Sequence, residues 1–261
     1  MNNVTLNRPI AVFDAGIGSY AIARKIADRF PDQDVLYFAD RASFPYGGKG
    51  RNELLAVMRS TVERLESFGP AAIVIASNAP SVMVLGDLID HYDTPIIGVF
   101  PPVRRALDTS ATKRIAVLGV ASLISSSEIG AYVARESTGQ GDVDLVSASD
   151  LVELVENGKF LTDPETTLTA VRAKLDTLHP DTDVVTLSST HLPWLLRYFE
   201  QAGPRLRFLD PADDVVAAVA PYATHGSGVF RTLVSEREGY DLADFRRMLA
   251  RLGLDLTIEL V

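Results

Sequence analysis

The sequence predicts an α/β protein whose mainly parallel sheets are flanked by helices, with its ligand site between two similar halves. Three observations carry that reading. Apolar runs alternate with stretches of helical periodicity almost from end to end, the pattern of βαβ units. The stretch Asp183 to Pro193, DVVTLSSTHLP, takes an apolar strand into a tight turn that holds Ser188, Ser189, Thr190 and His191. About a hundred residues earlier, AAIVIASNAP carries Ile73 to Ala76 into Ser77 and Asn78 in the same manner. Open α/β sheets bind their ligands at strand ends of this kind, so the two turns are expected to face each other across one site.

Taken in order, the first strand is expected at Ile10 to Phe13, ending in Asp14-Ala15-Gly16-Ile17-Gly18. Helical spacing follows at Ile22, Ile26 and Phe30, and a second strand at Val35 to Phe38 ends at Asp40. A loop of turn formers, Ser43 to Gly50, precedes a helix with Leu54, Met58, Val62 and Leu65 on one face and charged residues outside it. The strand Ala71 to Ala76, another helix and the run Pro95 to Val99 close a first unit near residue 100.

The pattern restarts at Arg114 with IAVLG, a Ser125-Ser126-Ser127 turn, a helix and a strand at Val143 to Val146. A short helix containing Leu151, Leu154 and Val155 is expected to end at Gly158. A longer helix over Glu165 to Leu178 leads into DVVTLSSTHLP, then to a helix after Pro193 and a strand at Leu206 to Leu209. The tail supplies a helix, a strand near Val229 to Val234, a helix with Phe245, Met248, Leu249 and Leu252, and a last run from Leu254 to Val261. Because that tail is expected to return to the first sheet, the reading is a discontinuous first domain of residues 1–100 plus 211–261. Residues 101–210 form the second.

The 261 residues are 47% hydrophobic and 23% charged, the balance of a globular chain with a real core. A net charge of -9 argues against a surface that tracks a phosphate backbone, which needs clustered Lys and Arg. Nucleic acid is therefore not an expected partner. With no cysteine, the chain has no disulfides, no thiolate metal ligands and no thiol nucleophile. The start MNNVTLNRPI lacks a basic segment followed by an apolar run, and no stretch approaches the roughly twenty apolar residues of a membrane span. The expectation is a cytoplasmic protein that does not engage a membrane.

Four short stretches carry candidate chemistry, and each has a plain structural reading beside it. Gly16-x-Gly18-x-x-Ala21 follows a strand and opens a helix as a dinucleotide fingerprint would, with Asp40 at the end of the second strand. Against this, Asp14 stands beside the turn where a pyrophosphate would lie, and a tight turn alone explains both glycines. Phe44-Pro45-Tyr46-Gly47 reads as an ordinary turn in which proline presets φ. The hydroxyls of Ser77 and of Ser188, Ser189 and Thr190 could simply cap the helices that follow, and a single histidine is more often structural than catalytic.

Together, however, these stretches resemble the glutamate racemase branch of the aspartate/glutamate racemase family. The usual pattern there is Asp-Ser-Gly-x-Gly, Phe-Pro-Tyr-Gly, Cys-Asn-Thr and Gly-Cys-Thr-His-Tyr-Pro. This chain reads Asp14-Ala15-Gly16-Ile17-Gly18, Phe44-Pro45-Tyr46-Gly47, Ser77-Asn78-Ala79 and Ser188-Ser189-Thr190-His191-Leu192-Pro193. Leu154-Val155-Glu156-Asn157-Gly158 is similar to the family's Leu-Val-Glu-x-Gly. Order and spacing agree across nearly the whole chain.

The resemblance implies two pseudo-symmetric α/β domains that hold a small acid such as glutamate or aspartate between them. It also implies inversion at Cα by one thiol from each half, with no metal or organic cofactor, in the supply of D-glutamate for bacterial cell-wall peptidoglycan. Ser77 and Ser189 occupy the two thiol positions. Asp14 on one side, and Glu156 with His191 on the other, match the residues that assist those thiols. Ala15, Pro45, Tyr46, Gly47, Asn78, Ala79 and Thr190 match positions around the substrate. Ala15, Ala79 and Leu192 themselves depart from the family's serine, threonine and tyrosine. A homodimer is left open.

Removing a Cα proton requires a base whose pKa lies near the working pH, and a serine hydroxyl is not one. The expectation is therefore a racemase homologue that binds an amino or dicarboxylic acid without two-thiol racemisation, a pseudoenzyme. One alternative is an enzyme of altered chemistry that uses Asp14, Glu156 or His191 directly on a more acidic substrate. Another is an engineered Cys to Ser form, against which Ala15, Ala79 and Leu192 speak. A third is a regulatory or interaction protein that keeps the fold as scaffold.

Overall fold

The computed structural model describes residues 6–254 and 256–261. The first five residues of the MNNVT start, and Asp255 within the last apolar run, lie outside the described residues. Among the described residues there are ten strands: β1 Ile10–Asp14, β2 Val35–Asp40, β3 Ala72–Ile75, β4 Ile96–Gly98, β5 Arg114–Gly119, β6 Asp142–Ser147, β7 Val184–Leu187, β8 Arg207–Leu209, β9 Phe230–Ser235 and β10 Ile258–Leu260. They form a six-stranded sheet ordered β10-β9-β2-β1-β3-β4 and a four-stranded sheet ordered β6-β5-β7-β8. Every pairing between these strands is parallel.

The chain divides into two compact units, one running up to Val99 and resuming over Ala212–Val261, the other Phe100–Pro211. In the first unit β1, β2 and β3 are buried along their whole length. Covered on both faces, they read as continuous apolar runs rather than alternating ones. The helix Tyr20–Arg29 buries Tyr20, Ile22, Ala23 and Ile26. The helix Arg51–Glu66 buries the expected stripe of Leu54, Met58, Val62 and Leu65, and adds Thr61. The tail enters this sheet through β9, which pairs with β2 along six residues.

In the second unit the core is Val103, Ala106, Leu107, Ile115, Val117, Val184 and Leu209. The helix Ser149–Glu156 stops at Asn157, and Gly158 follows at φ 72°, a left-handed conformation that glycine adopts without a Cβ penalty. The helix expected over Glu165 to Leu178 runs Pro164–Leu175. Asp163 caps it through the Thr166 amide, and Pro164 takes a first-turn position that needs no N–H. Two expected helices differ from the sequence reading. The one after Ser77 is only Asn78–Met83, followed by single 3-10 turns. Pro193 lies in a 3-10 turn, Leu192–Leu195, before the helix Leu196–Ala202 begins.

Each unit fastens one strand with an aspartate placed just before it. Asp34 precedes β2 and accepts the backbone amides of Asn7, Ser227 and Val229 at 2.8, 2.8 and 3.1 Å. Gly228 sits inside that clamp at φ 66°, where a Cβ would lie 2.3 Å from the Pro31 carbonyl oxygen. Asp183 precedes β7 and accepts the Ser110 hydroxyl and the amides of Ala111 and Thr112. For both, burial works against the charge, but the collected donors outweigh it and hold the carboxyl below its ordinary value. Among the described residues, no helix is long and apolar enough to cross a membrane.

Candidate functional site

In the first unit, β1 and β3 are neighbours, and the Ala76 amide donates to the Phe13 carbonyl at 2.8 Å. Asp14 and Ser77 therefore leave adjacent strands at their carboxyl ends. Asp14 is buried, and its carboxylate accepts the Ala15 amide at 2.7 Å. The Ala15 carbonyl in turn accepts from the Arg41 guanidinium at 3.0 Å. Ser77 is half-buried in extended backbone at the start of the short helix, yet its hydroxyl makes no cap hydrogen bond. Helix capping does not account for it.

Ser81 does the structural work at this turn. Its hydroxyl donates to the Ser77 carbonyl at 2.7 Å and accepts the Val99 amide at 2.8 Å, which ties the end of β3 to the segment after β4. Asn78, beside Ser77, is 3% exposed and donates its amide nitrogen to the Val99 carbonyl at 3.2 Å. Its side-chain oxygen is buried without a partner among the described residues. Ala79 is buried as well.

The Phe44-Pro45-Tyr46-Gly47 stretch adopts a cis Phe44–Pro45 peptide and places Pro45 on the surface, Gly47 half-buried and Tyr46 in the interior. The Tyr46 hydroxyl donates to Asp40 at 2.9 Å. Burial, then the negative charges of Asp40 and Asp14, push its phenol well above the ordinary tyrosine value. The Tyr46 side chain is thus an internal tie. Asp40 also accepts from Ser235 at 2.8 Å and Thr61 at 3.5 Å. Enclosed by three hydroxyls, it is not placed to hold the ribose that the dinucleotide reading requires. A crevice beside it is lined by Asp40, Ser43, Glu53, Arg64 and Ser235, and none of the candidate site residues lines it.

In the second unit β7 ends against β5, with the Ser188 amide donating to the Leu118 carbonyl at 2.8 Å. Ser188 and Thr186 share a buried hydrogen bond of 2.8 Å, so Ser188 belongs to the scaffold. Ser189, Thr190 and His191 follow, all buried. The Ser189 Oγ lies 3.5 Å from His191 Nδ1. His191 Nε2 lies 2.6 Å from the carboxylate of Glu156, the last residue of the helix Ser149–Glu156. The two side chains are 8% and 11% exposed. A carboxylate only accepts, so Nε2 carries the proton, and in the neutral ring Nδ1 presents its lone pair to Ser189.

The first unit thus brings Asp14, Ser77 and Asn78 to the ends of the adjacent strands β1 and β3, with Tyr46 tied to Asp40 at the end of β2, and the second assembles Glu156, Ser189 and His191. Sequence reasoning missed the supporting residues Ser81 and Arg41, and singled out Asp40 only as the acid of a dinucleotide fingerprint. The one signal that could have found Ser81 is a hydroxyl four residues beyond Ser77, the spacing at which Ser and Thr bond back to a carbonyl.

Comparison with known proteins agrees with this architecture. The family model described as Asp/Glu/Hydantoin racemase matches residues 20–219. A glutamate racemase of Granulibacter bethesdensis is 35% identical over 222 residues, covering 82% of this chain and 78% of that protein. The glutamate racemase of Thermus thermophilus, solved in complex with beta-chloro-D-alanine, superposes with a TM-score of 0.83 at 26% identity, covering 97% of this chain and 96% of that one. The Francisella tularensis glutamate racemase, solved with D-glutamate, shares the fold at a TM-score of 0.82 and 21% identity, over 98% and 97% of the two chains. The chain belongs to the Asp/Glu/hydantoin racemase family, on its glutamate racemase branch.

Proposed function

We propose that this protein binds a small amino acid or dicarboxylic acid, glutamate and aspartate being the first candidates, and does not racemise it by the two-thiol route. The ligand lies between the two halves, bounded by Asp14, Ser77 and Asn78 on one side and by Ser189, Thr190 and His191 on the other. The D-glutamate and beta-chloro-D-alanine held by the related racemases support that ligand class. The observation that carries the reading is the buried Asn78 side-chain oxygen, which has no donor among the described residues. An acceptor left so costs about 1–3 kcal/mol, and the ammonium of an amino acid would satisfy it.

With hydroxyls at residues 77 and 189, neither face offers a thiolate to take the Cα proton, so the protein is a pseudoenzyme toward racemisation. The test is thermal unfolding against a panel of D- and L-glutamate, D- and L-aspartate, malonate and succinate. At least one should stabilise the chain, by about 2.7 kcal/mol at a hundredfold excess over its dissociation constant. Asn78→Ala should abolish the shift for amino acids more than for the dicarboxylates that lack an ammonium. A panel with no stabilising member rejects the reading.

A further inference from the structure

We propose that Ser189 is an activated nucleophile, able to take an acyl group from a small ester, with His191 as its base and Glu156 as the group that orients and charges that base. This goes beyond the binding reading and stands on different observations. Serine attacks carbonyl carbon only when an adjacent base removes its proton, and that base works when a third group fixes its tautomer. Ser189, His191 and Glu156 occupy those three places in order: Oγ to Nδ1 at 3.5 Å, Nε2 to Oε1 at 2.6 Å. The His191–Glu156 contact is nearly sealed from water, so the carboxylate stabilises the imidazolium strongly as it forms. The Oγ to Nδ1 distance is at the long end, as such bonds commonly are before a substrate closes them.

Ser77 supplies the internal contrast: a hydroxyl at a matching strand end, with no side-chain cap bond. In the step itself, the Ser189 oxygen bonds to the ester carbonyl carbon while its proton passes to His191 Nδ1. Collapse of the tetrahedral species breaks the bond to the leaving oxygen, which takes the proton from Nδ1. Water, deprotonated by the same nitrogen, then cleaves the acyl-serine, releasing the acid and restoring the hydroxyl. No oxidant, metal or organic cofactor enters.

The experiment is incubation of the full chain with p-nitrophenyl acetate, following phenolate release and mapping the acetyl group by peptide mass. The expected result is a burst stoichiometric with protein and acetylation at Ser189. Ser189→Ala should remove the burst, and Ser189→Cys should keep it as a thioester, which guards against a loss caused by misfolding. Glu156→Gln, able to present an amide N–H to Nε2 and so invert the tautomer, should slow acylation by about a hundredfold or more, with Glu156→Asp recovering part of the rate. Acetylation confined to lysines, or a burst undiminished in Ser189→Ala, overturns the proposal. Neither result touches the ligand-dependent thermal shifts, so this inference and the binding reading fail separately.

Discussion

The two strand-end turns look alike in sequence and differ in what surrounds their serines. At the end of β3, Ser77 is half-buried and its hydroxyl caps nothing, while Ser81 fixes the backbone around it. At the end of β7, Ser189 is 6% exposed and stands against an imidazole that is itself tied to a buried carboxylate. A hydroxyl at a strand end is only a position; the neighbour that can move its proton decides whether it is chemistry. In one half such a neighbour stands in hydrogen-bonding order; in the other the buried Asn78 side-chain oxygen has no donor among the described residues.

Restoring thiols at both positions should have the largest effect. If the serines raise the barrier by ~7 kcal/mol, the Ser77→Cys, Ser189→Cys double variant should racemise glutamate or aspartate about five powers of ten faster than the parent. Silence toward both, with an unchanged melting curve, would show that Ala15, Ala79 and Leu192 have remade the pocket itself.

The next comparison is one of stability. Ser81→Ala leaves the buried Val99 amide without its acceptor and should cost about 2 kcal/mol in urea unfolding. Ser77→Ala should stay within about 0.5 kcal/mol. Equal costs would mean that Ser77 is structural after all.

A smaller difference lies in how the two strands are fastened. β3 is entered through backbone bonds, from Ala71 to Pro9 and from Ile73 to Pro95, whereas β7 follows the Asp183 clamp. The folded Asp183 carboxyl lies below its ordinary value of 3.8. Its contribution is therefore complete above that value and disappears as pH falls through the lower folded value. Asp183→Asn should remove about 1 kcal/mol of stability at neutral pH and little below the folded value. A constant deficit across that range would show that the clamp acts through shape alone.

Much of the fold was legible because its central strands are buried on both faces. Ile10–Asp14 and Val35–Asp40 stand out as unbroken apolar runs, and Leu54, Met58, Val62 and Leu65 mark a helix by spacing alone. What was not legible depends on residues far apart in the chain. Asp40 is joined to Ser235 across 195 positions, and nothing local in Phe44-Pro45-Tyr46-Gly47 says that the tyrosine hydroxyl turns inward to the same carboxylate. The short helix after Ser77 and the 3-10 turn at Pro193 escaped because apolar period does not mark where regular helix begins and ends. At the candidate site the sequence offered residue types and their order, but neither the 2.6 Å contact of Glu156 with His191 nor an Asn78 oxygen without a partner among the described residues.

The central claim, binding without two-thiol proton transfer, is tested most directly by incubating the parent chain with the acid that stabilises it in heavy water and following the Cα proton by NMR. The account predicts that the signal persists unchanged over many hours while the ligand remains bound. Exchange of that proton that disappears in Asp14→Asn or His191→Asn would contradict it.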